Sequence, residues 1–177
     1  MDTTPLSPPV RFAPIEESEL VRINELSNIP EIAENFETIP PVSMETTLAL
    51  WNYIQSGIVS LWGIHLDDRI IGGVGFYAQP AGTRLSHCAT FFLYVEPAYW
   101  GKGIGEKSII FLEKEVQDRG YVRMECLVSG RNRRAVRLYE KLRYQQEGIK
   151  KQAFYVDGEY ADLIIMGKIF PNNPATK

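Results

Sequence analysis

Gly101, Gly103 and Gly105 alternate along the chain where a strand pattern gives way to a helix pattern. Before them runs an apolar stretch, Cys88 to Val95, and after them the apolar residues recur with helical period. A plain strand-to-helix turn needs one glycine at most. Three glycines give a loop that takes conformations closed to other residues and lets a ligand approach its amides. The first-turn amides of a helix have no partner within it and carry the positive end of its dipole. The loop therefore reads as an anion site, most naturally for phosphate. Two common phosphate loops are excluded by spacing. A G-x-G-x-x-G fingerprint needs glycine at Glu106, and a P-loop needs Ser or Thr at Gly103.

The chain has 177 residues, enough for one domain with a real core. That domain is expected over 10–170, after a loose, proline-rich N-terminus (1–9) and before a short tail (171–177). Hydrophobic residues make up 45% and charged residues 23%, as in soluble globular proteins. The net charge of −3 argues against general nucleic-acid binding and mildly suits a cationic acceptor. No apolar stretch approaches about 18 residues, so no membrane span is expected. The first ten residues lack the hydrophobic centre of a signal peptide, which leaves the cytoplasm as the default. Cys88 and Cys126 lie in apolar, strand-like segments and read as buried free thiols. No metal is expected.

Along the chain, Val10 to Ala13 reads as a short strand and Glu16 to Asn28 as a helix with Leu20, Ile23 and Leu26 on one side. Its early acids suit the helix dipole. Pro30 to Phe36 reads as a short helix stopped by Pro40-Pro41. Ser43 caps a helix to Gln55, ended by Gly57. Val59–Leu66 and Ile70–Tyr77 form a hairpin across Asp67-Asp68-Arg69. Arg84 to Val95 reads as a long strand, Gly103 to Arg119 as a helix, and Val122 to Val128 as a strand. Asn132 caps a helix to Leu142, with Ala135, Leu138, Tyr139 and Leu142 on its inner face. Strands near Glu147–Tyr155 and Tyr160–Lys168 close the domain. The pattern makes an α/β (α+β) fold: a mixed, mostly antiparallel sheet with helices on both faces.

The strand ending at Val95, the loop Trp100-Gly-Lys-Gly-Ile-Gly105 and the run Asn132-(x)2-Ala135-(x)2-Leu138-Tyr139-Glu-Lys-Leu142 together resemble the acetyl-CoA motifs of the GNAT N-acetyltransferases. The resemblance covers Arg11 to Ile169 and is most specific between Phe91 and Tyr144. Glu147-Gly148 and Asp157-Gly-Glu-Tyr-Ala-Asp162 through Met166 are most similar to the branch acting on amino acids and other small amines. Two positions depart from the family pattern. Trp100 stands where Gln or Arg is usual, and Arg143-Tyr144 stands where Gly-Phe is usual, so an αL helix ending is harder to form there.

The resemblance implies acetyl-CoA as co-substrate. It places the pantetheine arm along Leu93, Tyr94 and Val95, paired with the backbone like an added strand. It places the pyrophosphate on the amides of Trp100, Gly101, Lys102, Gly103, Ile104 and Gly105. Lys102 adds charge, and Asn132 bonds the arm beside its capping role. The Val95 N–H is the expected donor to the developing oxyanion. Tyr139 occupies the family position for protonating the leaving thiolate, which suits a phenol with an unperturbed pKa near 10. By helical geometry alone Tyr139 is a core aromatic.

The base that deprotonates the amine is not identified by the sequence. His87 begins the third-strand run, and Glu31, Glu34 and Glu37 recur in the helical region that borders the acceptor in this family. The leading expectation is an N-acetyltransferase acting directly on a small-molecule primary amine in a ternary complex. The alternatives are a non-catalytic acetyl-CoA sensor, a protein N-terminal or lysine acetyltransferase, and another phosphate-ligand protein using the same turn. The last strand pair is a candidate homodimer contact.

Overall fold

The computed structural model describes residues 9–171. The expectations for residues 1–8 and 172–177 lie outside the described residues. Seven strands form one sheet in the order β1-β2-β3-β4-β5-β7-β6. They are β1 (Arg11–Pro14), β2 (Val59–Leu66), β3 (Arg69–Ala78), β4 (Cys88–Val95), β5 (Arg123–Ser129), β6 (Gln145–Val156) and β7 (Glu159–Ile169). Only β4 and β5 run parallel; each other neighbouring pair is antiparallel. The helices are α1 (Leu20–Ser27), α2 (Pro30–Ala33), α3 (Met44–Gln55), α4 (Ile104–Asp118) and α5 (Arg133–Lys141).

Alternation along the strands sends side chains to two cores. On one face Leu20, Ile23 and Leu26 of α1 pack with Val59 and Leu61 of β2, beside Trp51 and Ile54 of α3. On the other face Ile104, Ile109, Leu112 and Val116 of α4, with Val136 and Tyr139 of α5, pack on Ile71, Val74, Phe91 and Met124. Helices thus cover both faces, and the sheet is shared between the two cores.

Local chemistry fixes most boundaries. The Ser43 hydroxyl accepts from the Thr46 amide at 3.1 Å, capping α3, and Gly57 ends the segment at φ 77°. Asn132 caps α5 by accepting from the Ala135 amide at 3.1 Å. Four expectations need correction. The third strand starts at Cys88, not Arg84, because Ser86 and Cys88 donate back to Thr83 and Leu85 in consecutive turns. The first helix opens with a 3₁₀ turn at Glu17–Glu19, and α2 is a single turn that stops at Ala33 rather than Phe36. The inner face of α5 includes Val136, whereas Ala135, Leu138 and Leu142 are only partly buried. After α5 the left-handed position forms without glycine. Arg143 takes φ 68°, and the Tyr144 amide returns to the Tyr139 carbonyl at 2.9 Å. Burial of Tyr144 against Phe91 and Tyr139 offsets the cost of that conformation.

Candidate active site

β4 and β5 pair only at Cys88–Arg123, Ala89–Met124 and Thr90–Glu125. Beyond that point each keeps its outer neighbour. β4 stays paired with β3 as far as Val95, and β5 stays paired with β7 as far as Ser129. The two parallel strands therefore part into a wedge in the middle of the sheet. In an antiparallel pair, residues that bond across alternate with residues that face away. The Glu96 amide donates to Ile71 at 2.7 Å, so Tyr94 bonds across to Gly73 in the same phase. Leu93 and Val95 then turn their N–H and C=O groups into the wedge. This is the geometry an extended ligand needs to add as a strand.

The three strand residues expected to line the coenzyme arm thus divide. Leu93 and Val95 face the wedge with their backbone. Tyr94 gives its backbone to β3 and its ring to the opposite face, over Gly73 and edge-on to Phe36 at 5.8 Å. The outer end of β4 is pinned by Glu96, which accepts from Arg22 at 2.7 Å and from Arg69 at 2.9 Å.

The glycine turn follows directly. Gly101 and Gly103 have φ 74° and 75°, in the left-handed region, and Gly103 is the N-cap of α4. Gly105 has a different reason. A Cβ there would stand 3.0 Å from Leu138 of α5 and 3.6 Å from Leu93 of β4, so its absence lets helix and strand close on the turn. The first-turn amides of α4 point out of the helix as the dipole's positive end. Trp100 differs from the other loop positions, because its amide is spent on Pro97 at 3.1 Å. Its contribution is its side chain. The indole Nε1 donates to the Val95 carbonyl at 2.6 Å, and the Arg134 guanidinium lies 3.2 Å from the ring centroid. Lys102 lies over the Tyr99 ring, 5.1 Å from its centroid.

Tyr139 sits at the fork. Its ring meets Phe91 edge-on at 5.2 Å. Phe91 and Cys126 are the first residues beyond the last β4–β5 pair. Burial, reinforced by Cys126, raises the Tyr139 pKa well above that of a free phenol, so the hydroxyl holds its proton throughout the neutral range. Cys88 and Cys126 are free, buried thiols, and burial raises both pKa values.

At the mouth lies a cavity of about 380 Å³, lined on the α4–α5 side by Trp100, Ser129, Asn132 and Arg134. Arg131 and Arg133 also line it, and Glu34 and Asn35 from just after α2 and Val156 from the β6–β7 end complete it. The Asn132 side chain donates to Asn35 Oδ1 at 2.8 Å, tying α5 to the segment after α2. Burial lowers the Arg134 pKa, and Glu34 acts in the opposite sense. Of the carboxylates named from sequence, Glu34 lines this cavity and Glu31 and Glu37 do not. His87 is exposed and is also absent from its lining. Among the described residues no cluster of three or more His, Cys, Asp or Glu is arranged to hold a metal. Likewise no described helix is long and apolar enough to cross a membrane.

Asn35 and Arg134 escaped sequence reading as site residues. Asn35 lies in a polar stretch without period. Arg134 looks like part of a solvated basic helix face until Trp100 is seen beneath it.

The sequence profile of the acetyltransferase (GNAT) family matches residues 27–144. A spermidine N(1)-acetyltransferase of Escherichia coli is 22% identical over 166 residues, spanning 89% of this chain and 84% of that protein. An acetyltransferase of Sodalis glossinidius is 37% identical over 59 residues, 33% of this chain and 42% of that protein's length. Among solved structures, a spermidine N-acetyltransferase from Vibrio cholerae in complex with CoA and spermine superposes with a TM-score of 0.81. It is 21% identical over 90% of this chain and 95% of its own.

Proposed function

This chain belongs to the GNAT acetyltransferase family, and on that premise we propose that it transfers an acetyl group from acetyl-CoA directly to the primary amine of a small molecule. The observation that carries the reading is the parting of β4 from β5 after Thr90 and Glu125, with the glycine turn at its mouth and Tyr139 at its fork.

The chain's groups suit acetyl-CoA in kind and order. The Leu93 and Val95 backbone groups would hold the amide-bearing arm, and the amides from Gly101 to Gly105 would hold the pyrophosphate. When bound, acetyl-CoA supplies a thioester carbonyl as the electrophile. The N–H groups facing the wedge at Val95 and, one pleat closer to Tyr139, at Leu93 are placed to stabilise negative charge on that carbonyl oxygen. As nitrogen bonds to the carbonyl carbon and the carbon–sulfur bond breaks, the Tyr139 hydroxyl, kept protonated by burial, would give its proton to the departing sulfur, and the second proton shed by the attacking nitrogen would restore it. An amine arrives as an ammonium and must lose its proton before it attacks. Among the described residues Glu34 is the one carboxylate on a cavity wall that also carries Arg131, Arg133 and Arg134, and it would accept that proton and relay it to solvent.

The small-amine acceptor draws support from the spermidine enzymes of Escherichia coli and Vibrio cholerae named above. The reading extends to a cytoplasmic enzyme and to a homodimer through the β6–β7 pair, whose outer strand is exposed along most of its length. Sedimentation of the full chain tests the dimer.

Turnover is tested by offering acetyl-CoA with a panel of amino acids, polyamines, aminoglycosides and peptides, and measuring free CoA thiol. Release with at least one small amine is expected. Release with peptides alone would make this a protein acetyltransferase. Coenzyme binding without release for any amine would make it a sensor.

A further inference from the structure

Val95 is the last residue of β4, and its carbonyl faces the side where β5 has already parted. A strand-like ligand in the wedge would bond to that oxygen, because buried amide N–H groups require acceptors. The oxygen already accepts one hydrogen bond on its wedge-facing side. Trp100 Nε1 donates to it at 2.6 Å, short for an N–H···O bond. The indole is also held from its other side by Arg134, whose Cζ lies 3.2 Å from the ring centroid. This stack ties the loop after β4 to the first turn of α5. Both residues line the mouth cavity.

We infer that Trp100 is a built-in competitor of the coenzyme arm: its indole stands on the wedge-facing backbone oxygen the arm would use, and it moves off Val95 when the coenzyme binds. The inference rests on the acetyl-CoA reading proposed above. It gives the tryptophan at this position a specific consequence. The side chain lowers coenzyme affinity by the strength of its own hydrogen bond. Trp100→Phe keeps a smaller aromatic face for Arg134 and removes the donor.

Two measurements on the full-length protein test this. Calorimetry with coenzyme A is expected to show Trp100→Phe binding about fivefold more tightly than wild type, as loss of one competing hydrogen bond predicts. Equal or weaker binding would overturn the inference. The second measurement needs no variant to fold. The chain has three tryptophans, so indole-labelled wild type gives three resolvable N–H signals in NMR. The Trp100 signal is expected to exchange slowly with solvent alone and quickly at saturating coenzyme A. Protection retained at saturation would also overturn it. Wild type that fails to bind coenzyme A at all would sink the acetyl-CoA reading itself, and this inference with it. Binding with an undisturbed Trp100 sinks only the inference.

Discussion

The proposed donor half and the proposed acceptor half of this molecule are built by different means. On the donor side, from β4 through α5, the working groups are mostly backbone amides and carbonyls. Their direction is set by strand pairing, by two left-handed glycines and by a helix terminus. Beneath them lies a core in which Ile109, Leu112 and Val116 are fully buried. On the acceptor side, the surfaces come from the segment after α2 and from the β6–β7 tip. There the groups that reach the cavity are side chains such as Glu34 and Asn35. The difference teaches where change is tolerated. A backbone site survives most substitutions and fails when the chain cannot take its path. A side-chain site changes specificity with each substitution.

The largest effect is expected at the fork. Tyr139→Phe keeps the ring against Phe91 and removes the hydroxyl, so kcat should fall by about 10²–10⁴ while coenzyme affinity stays nearly unchanged. Steady-state kinetics paired with calorimetry separate the two, and an unchanged kcat would remove Tyr139 from the chemistry. Next comes the turn. Gly103→Val forces a β-branched residue to φ 75°, at a cost of about 1–3 kcal/mol. A lower melting temperature and weaker coenzyme binding are both expected. Coenzyme affinity equal to wild type would separate the glycine turn from the phosphates and break the comparison. The smallest effect belongs to the acceptor side. Glu34→Gln should raise KM for a cationic amine by roughly two- to fivefold, the range of one exposed charge pair, with coenzyme affinity untouched. A loss of coenzyme affinity instead would show that the two halves are not separable.

The same division explains what the sequence made legible. Gly101, Gly103, Ser43 and Asn132 act on their immediate neighbours, so their turns and caps could be read from local pattern. Tyr139 could be placed both as a core aromatic and, through the family resemblance, at the coenzyme. The structure gives it a packed ring at the fork, which bears out the core reading, and its place at the coenzyme belongs to the proposed function. What could not be read depends on distant partners. The Asn35–Asn132 bond joins residues 97 apart, and nothing near either one announces the other. Trp100 looked like an unusual first residue of an amide loop, yet its amide belongs to Pro97 and its indole to Val95. Arg143 takes a glycine's conformation because Tyr144 is buried in the core beyond it, a tertiary effect overriding a local preference. Arg84 to His87 carry no glycine or proline to mark them as turns, and their strand reading failed for that reason.

In the proposed enzyme the wedge between β4 and β5 holds the coenzyme's arm while the glycine turn holds its phosphates. Calorimetric titration of the full chain with acetyl-CoA, beside its nucleotide fragment 3′-phospho-ADP, tests that claim most directly. Clear binding of acetyl-CoA is expected, with the fragment weaker by at least about tenfold, the equivalent of ~1.4 kcal/mol from the arm. Equal affinity for the two, or no binding of acetyl-CoA below millimolar concentration, would contradict it.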